Sequence, residues 1–166
     1  MLPSTVRSPA KGATKNSRRP SGSGAAAKVS SSTGSADSSV RARPRILCVD
    51  DEPLVLKSLA ASLRKHVEVV SANSAAEALE LLERDPGFPV VISDYRMPGM
   101  DGGAFLAQVR KRFPSIVRLL LSGAGADSVV LDNPELVFRF LSKPCPRETL
   151  LRALDDALVR GAVGLA

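Results

Sequence analysis

The sequence predicts an α/β domain built on a doubly wound, five-stranded parallel sheet in the order 2-1-3-4-5. Three observations predict it. Five short apolar runs alternate with stretches of helical period, at loop lengths normal for strand–helix units. That alternation places helices on both faces of a parallel sheet through right-handed crossovers. The first run ends in Asp50-Asp51-Glu52 and not in a glycine fingerprint, which removes the dinucleotide-binding competitor. Three acids there repel a pyrophosphate unless a cation intervenes, and a domain this small favours the single-sheet order.

The elements follow in turn. Arg45 to Val49 is the first strand. Pro53 suits the first turn of a helix, and Leu56, Leu59, Ala60 and Leu63 form its apolar stripe, with an end expected near His66. Val67 to Ala72 is the second strand. Ser74-Ala75-Ala76-Glu77 has capping-box spacing and opens a helix with Ala75, Ala78, Leu79 and Leu82 facing inward, stopped by Asp85-Pro86-Gly87. Val90 to Ser93 reads as a fully buried strand, and Asp94 to Gly102 as a loop of turn formers. Phe105, Leu106, Val109 and Phe113 line the next helix, which Pro114 ends. Ile116 to Leu121 is the fourth strand. Ala124 to Glu135 is weakly patterned and leaves room for one short helix around Asp127 to Leu131. Val137 to Leu141 is the fifth strand. Pro146 opens the last helix, with Leu150, Leu151, Leu154 and Leu158 inward and Arg160-Gly161 closing it.

Charge divides the 166-residue chain. Residues 1–45 hold nine of the 23 basic residues and one acid, Asp37. The remainder holds fourteen basic residues against sixteen acids, a net of −2 where the whole chain carries +6. Residues 1–43 are Ser, Gly, Ala, Pro and Lys/Arg with few large apolar residues, so they cannot offset their ordering entropy and read as a disordered basic tail. Such a tail solubilises or tethers. It also offers charge to a nucleic acid, although it has no aromatic residue to stack bases, and it shares the basic, acid-poor, Ser-rich composition of transit peptides without their amphipathic helix. The receptive globular part is residues 44–160, and residues 161–166 read as a flexible C-terminus. No apolar run reaches bilayer length, and no signal segment is present. Two cysteines, Cys48 in an apolar strand and Cys145, fit a reducing compartment, hence a cytoplasmic location.

Four strand ends carry polar residues: Asp50 and Asp51, Asp94, Ser122, and Lys143. In the order 2-1-3-4-5 they converge at the carboxyl edge, beside the point where the strand order reverses. Three carboxylates that close repel one another, and a hard divalent cation such as Mg²⁺ removes the problem. Lys143 offers a point charge for a phosphoryl oxygen and Ser122 a hydroxyl donor. A carboxylate nucleophile, a metal and two donors make a phosphoryl-transfer site with an acyl-phosphate intermediate. Each residue also has a plain reading: Asp50 or Asp51 as a helix N-cap, Asp94 as a turn residue, Ser122 as a loop residue, Lys143 as a solvated lysine. It is the ordered set of five that points to chemistry.

That set resembles the receiver domain of two-component response regulators, with its flavodoxin-like fold. The likeness rests on Asp50-Asp51, the segment Asp94 to Gly102, Ser122 and Lys143-Pro144, and covers residues 45 to about 160. The resemblance implies that Asp94 takes a phosphoryl group from a histidine kinase or histidine phosphotransfer protein. It implies Mg²⁺ held by Asp51, Asp94 and the Arg96 carbonyl, with Asp50 acting mainly through water. Lys143 would contact the phosphoryl group and Asp94, Ser122 would bond a phosphoryl oxygen, and Phe140 falls at an aromatic switch position, although Phe138 and Phe140 both suit a core. The Lys143–Pro144 bond is expected cis. Arg96 and Ala124, two residues after Asp94 and Ser122, flank the site and bear on the lifetime of the aspartyl phosphate.

The expected function is a phosphoacceptor that promotes its own phosphoryl transfer and dephosphorylation, without a separate catalytic domain, and signals to a downstream output protein by contact. The stretch Phe138 to Cys145 is similar to receivers coupled to phosphodiesterase-like or HD-type domains. After Arg160 too few residues remain for a helix-turn-helix or an enzyme, so the chain is expected to be a stand-alone receiver or a fragment. The short stretch before the fifth strand argues for a monomer or a weak, phosphorylation-dependent dimer. The alternatives are a phosphorylation-switched nucleic-acid binder using the tail, and a degenerate receiver acting only as an interaction module.

Overall fold

A computed structural model of the chain describes residues 43–123 and 134–164. Residues 1–42 of the basic tail, Ala124 and the short helix expected around Asp127 to Leu131 lie outside the described residues. Five strands, β1 (Arg45–Val49), β2 (Glu68–Ala72), β3 (Val90–Asp94), β4 (Val117–Ser122) and β5 (Arg139–Ser142), form one sheet in the order β2-β1-β3-β4-β5. Every pairing is parallel. Four helices are described: α1 (Pro53–Leu63), α2 (Ala75–Arg84), α3 (Gly102–Arg112) and α4 (Arg147–Ala162).

Strand side chains alternate between two cores. Leu47, Val49, Val91 and Leu120 pack with α2 and α3 through Leu79, Leu82, Phe105 and Leu106. Ile46, Cys48, Ile92, Leu119 and Leu121 pack with α1 and α4 through Leu56, Leu63, Leu150 and Leu154. Fully burying one such leucine contributes about 1.5–3 kcal/mol, whereas a helix cap contributes about 1 kcal/mol. Packing therefore decides that these helices form, and the caps decide where they begin. Ser74 caps α2 by accepting from the Glu77 amide, and the Glu77 carboxylate accepts from the Asn73 amide, one residue before the partner a strict capping box would use. Asp101 caps α3 by accepting from Ala104. Arg43, at the edge of the tail, already donates to the Arg64 carbonyl.

Element ends differ from the sequence reading in a consistent way. β3 runs through Asp94 and β4 through Ser122, because ladder pairing continues past the last apolar residue: Asp94 pairs with Leu121, and Ser122 with Ser142. Asp94 thus ends a strand instead of following one. β5 begins at Arg139, two residues later than Val137, and α1 ends at Leu63, where the His66 and Val67 amides both bond the Leu63 carbonyl. The last helix is not closed by Gly161 but continues to Ala162. A Cβ at Gly161 would lie 3.4 Å from the Pro89 carbonyl oxygen, an ordinary contact, so α4 passes close to the start of β3 here without requiring a glycine.

Candidate functional site

The site is built at the carboxyl edge, where β1, β3, β4 and β5 end side by side. Asp50 follows β1 and is held by its amide on the Ala72 carbonyl, 3.2 Å. Its Oδ1 accepts from the Glu52 amide at 2.9 Å. Neither Asp50 nor Asp51 caps α1: Glu52 holds the N-cap position and no side chain bonds the helix there. The plain reading of these acids as caps therefore fails. Asp94 is buried at the end of β3, and its Oδ2 accepts from the Arg96 amide at 2.6 Å. Lys143 follows β5, and its amide donates 2.7 Å to the Ser122 carbonyl, which locks the ends of β4 and β5 together. The Lys143–Pro144 peptide is cis, as expected.

Lys143 Nζ lies 2.6 Å from Asp94 Oδ1 and 2.8 Å from Asp50 Oδ2. The Asp50 contact is one that sequence reasoning did not include. Burial alone would lower the Lys143 ammonium, but the hydrogen bonds to Asp50 and Asp94, with their charges, outweigh it and raise the pKa. Two buried carboxylates share one ammonium, so the cluster keeps a net negative charge. Ser122 is fully buried, and its hydroxyl has no hydrogen-bond partner among the described residues. An unpaired buried hydroxyl costs on the order of 1–3 kcal/mol. Cys48 behaves as the buried hydrophobe expected of it: burial, then the nearby charge of Asp50, pushes its thiol up to about 12.

Asp51 is half-buried and opens with Tyr95, Arg96, Met97, Pro98 and Asp101 onto a shallow cavity of about 510 Å³. Among the described residues no three His, Cys, Asp or Glu side chains are grouped closely enough to hold a metal between them. The donor set still fits Mg²⁺. All of it is oxygen, it carries excess negative charge, and Mg²⁺ is commonly bound by one or two carboxylates with waters and phosphate completing the shell. Asp51, Asp94 and the Arg96 carbonyl would be such a set. Phe140 is half-buried against the α2–α3 core, while Phe138 packs on the α1–α4 side.

Gly102 is a residue whose role sequence reasoning missed. A Cβ on it would lie 2.0 Å from the Asp94 carbonyl oxygen, and its amide donates 2.8 Å to the Tyr95 carbonyl. The first turn of α3 thus rests on the backbone of Asp94, and only glycine permits that contact. The Gly102-Gly103 pair straight after the Asp101 cap was the available signal.

Fold and site together define a signal-receiving domain with an acid–lysine cluster at the carboxyl edge of its sheet. The chain belongs to the response regulator receiver domain family, whose model matches residues 46–155. The transcriptional regulatory protein GlrR of Escherichia coli is 39% identical over 119 residues, covering 70% of this chain and 27% of that protein. The sensor protein TorS of Escherichia coli is 30% identical over 116 residues, covering 69% of this chain and 13% of that protein. The chain thus spans about a quarter of GlrR and less of TorS. The signal receiver domain of an HD domain-containing protein from Pseudomonas fluorescens superposes with a TM-score of 0.68 at 34% identity, covering 73% of this chain and 98% of that one. This chain is accordingly a receiver domain of two-component response regulators, and these matches favour neither the nucleic-acid-binding alternative nor the interaction-only one.

Proposed function

We propose that Asp94 accepts a phosphoryl group from the phosphohistidine of a histidine kinase or histidine phosphotransfer protein, in a Mg²⁺-dependent reaction, and that the phosphorylated domain signals by contact with an output protein. The observation that carries this reading is Lys143 Nζ, set 2.6 Å from Asp94 and 2.8 Å from Asp50, at the strand end next to Ser122, whose buried hydroxyl has no partner among the described residues. A structural ion pair needs one carboxylate. Here one ammonium serves two, and the buried Ser122 hydroxyl has no acceptor among the described residues.

In the forward step an Asp94 carboxylate oxygen attacks phosphorus and the O–P bond forms. The P–N bond to the imidazole breaks, and its electron pair stays on nitrogen. The phosphoryl group brings new acceptor oxygens. Lys143 can then turn from Asp94 Oδ1 to one of them, and the Ser122 hydroxyl can donate to another. In the later hydrolysis a water oxygen attacks phosphorus, the Asp94–phosphorus bond breaks as the carboxylate leaves, and the water's proton passes to solvent. Arg96, exposed two residues beyond Asp94, borders that approach. Asp51, Asp94 and the Arg96 carbonyl would hold Mg²⁺, with Asp50 adjacent, and the bound ion would supply charge neutralisation for the transferring group. Phe140, packed against the α2–α3 core from β5, carries the event toward the surface. A cytoplasmic setting is supported by two free thiols, Cys48 and Cys145, and no helix among the described residues is long and apolar enough to cross a membrane.

The test is incubation of the full chain with acetyl phosphate and Mg²⁺, followed by intact-mass measurement and peptide mapping. One phosphoryl addition on the peptide holding Asp94, labile to base and absent in Asp94→Asn, is expected. Label that persists in Asp94→Asn, or that maps to a serine of residues 1–43, overturns the assignment.

A further inference from the structure

The opposite edge of the sheet carries a second concentration of charge. A cavity of about 460 Å³ there is lined by Arg110, Arg118, Arg160, Glu135, Val137 and Phe138. Arg118 lies near the start of β4, four residues before Ser122 and so about 13 Å from the Asp94 edge at ordinary strand rise. We propose that this cavity binds a dianionic phosphate group, free or carried by a small phosphomonoester, with Arg118 and Arg160 as its main ligands.

Arg118 is the residue that demands an explanation. It shares a strand face with Leu120 and Ser122, and it is only 6% exposed. A buried charge is costly unless paired. Arg118 Nε donates to the Leu136 carbonyl at 2.9 Å and Nη1 to the Ile116 carbonyl at 2.7 Å. These use two of the five N–H donors a guanidinium carries, and Arg118 forms no ion pair among the described residues: Glu135, in the same cavity lining, is paired with Arg110. Burial first, then the charges of Arg110 and Arg160, lower its pKa. Its surroundings therefore worsen its charge.

Arg110 and Arg160 sit in the last turns of α3 and α4, where cations complement the helix dipole. That accounts for those two and not for Arg118. Arg110 is paired with Glu135. Arg160 has no ion pair among the described residues and lies over the Phe138 ring at 5.0 Å. Three guanidinium charges against one carboxylate leave two positive charges, which match a phosphate dianion. Guanidinium groups bind phosphate through paired N–H donors, and the cavity volume lies within the range of small-ligand sites.

The experiment is an NMR titration of the isotope-labelled full chain without Mg²⁺, using inorganic phosphate, glycerol 3-phosphate, glutarate, and sodium chloride at matched ionic strength. Saturable shifts at the Arg118 side chain and at the amides of Phe138 and Arg160 are expected with inorganic phosphate or with glycerol 3-phosphate, and whichever saturates at lower concentration names the source. Arg160→Gln is expected to weaken binding at least fivefold and Arg118→Met at least tenfold. If Arg118→Met does not fold, Arg160→Gln combined with Arg110→Gln carries the test. Shifts confined to residues 50–52 and 94–96, shifts equal to those in chloride, or unchanged affinity in Arg160→Gln overturn the site. Tighter saturation by glutarate than by either phosphate overturns the phosphate assignment.

Discussion

At the scale of single residues, Gly102 separates what composition allows from what geometry requires. Its φ is not in the left-handed region, so conformational freedom is not the reason for it. The reason is space: a methyl group there would lie 2.0 Å from the Asp94 carbonyl oxygen, and backbone cannot yield as a long side chain can. Gly102→Ala must push the first turn of α3 away from β3 or drive the Asp94 backbone aside. Overpacking of this kind costs about 1–3 kcal/mol. The expected outcome is a lower denaturation midpoint together with slower phosphoryl uptake from acetyl phosphate. Gly103→Ala, the same substitution at the neighbouring buried glycine of this helix, is the comparison. Equal behaviour of the two variants would show that Gly102 does not position Asp94.

At the scale of elements, the turn after α2 ties the edge of the sheet to a helix end. Asp85 Oδ2 accepts from Arg45 at 2.6 Å, and Asp85 Oδ1 accepts from the Gly87 amide at 3.1 Å. The Arg45 hydrogen bond first, then the Gly87 amide, hold the Asp85 carboxyl below its ordinary range. A depressed folded-state pKa means that this contact contributes above the unfolded value of 3.8 and is lost as pH falls through the folded value. An NMR titration should place the Asp85 midpoint below 3.8, and Arg45→Ala should move it upward. An unchanged midpoint would show that the ion pair does not persist in solution. The elements themselves were legible in the sequence because their periods are clean and both faces of the sheet are apolar. Their ends were less so. Hydropathy marks where burial stops, whereas ladder hydrogen bonds continue into Asp94 and Ser122. The five site residues could be read as a set because parallel topology brings strand ends together. The bridge from Lys143 to Asp50 could not, because it depends on how far a lysine reaches across two neighbouring strands. Gly102 was hidden for the converse reason: a residue without a side chain leaves no pattern, and its contact with Asp94 exists only in three dimensions.

At the scale of the whole molecule, the carboxyl edge is a place where folding concentrates like charge. Asp50 and Asp94 are brought into burial with one ammonium between them, and Asp51 adds a third carboxylate at the rim. In the unfolded chain Asp94 is far from Asp50 and Asp51 and all three are hydrated, so the repulsion between these two strand ends is a cost borne by the native state alone. A cation that binds the folded edge removes part of that cost and has no equivalent site in the unfolded chain. Linkage then requires that stability rise with its concentration, by about 2.7 kcal/mol at a hundredfold excess over Kd. Mg²⁺ is therefore expected to raise the thermal midpoint by several degrees in a saturable way. Asp51→Asn and Asp94→Asn are expected to lose most of that gain while melting no lower than the parent in EDTA, because each also removes a repelling charge. Sodium chloride at the same ionic strength should give much less, since screening acts weakly on buried groups. Thermal melts in EDTA, Mg²⁺ and chloride measure all three. A Mg²⁺ response that survived in Asp51→Asn and Asp94→Asn alike would place the ion elsewhere on the chain, and no response in the parent would mean that Lys143 already neutralises the edge sufficiently.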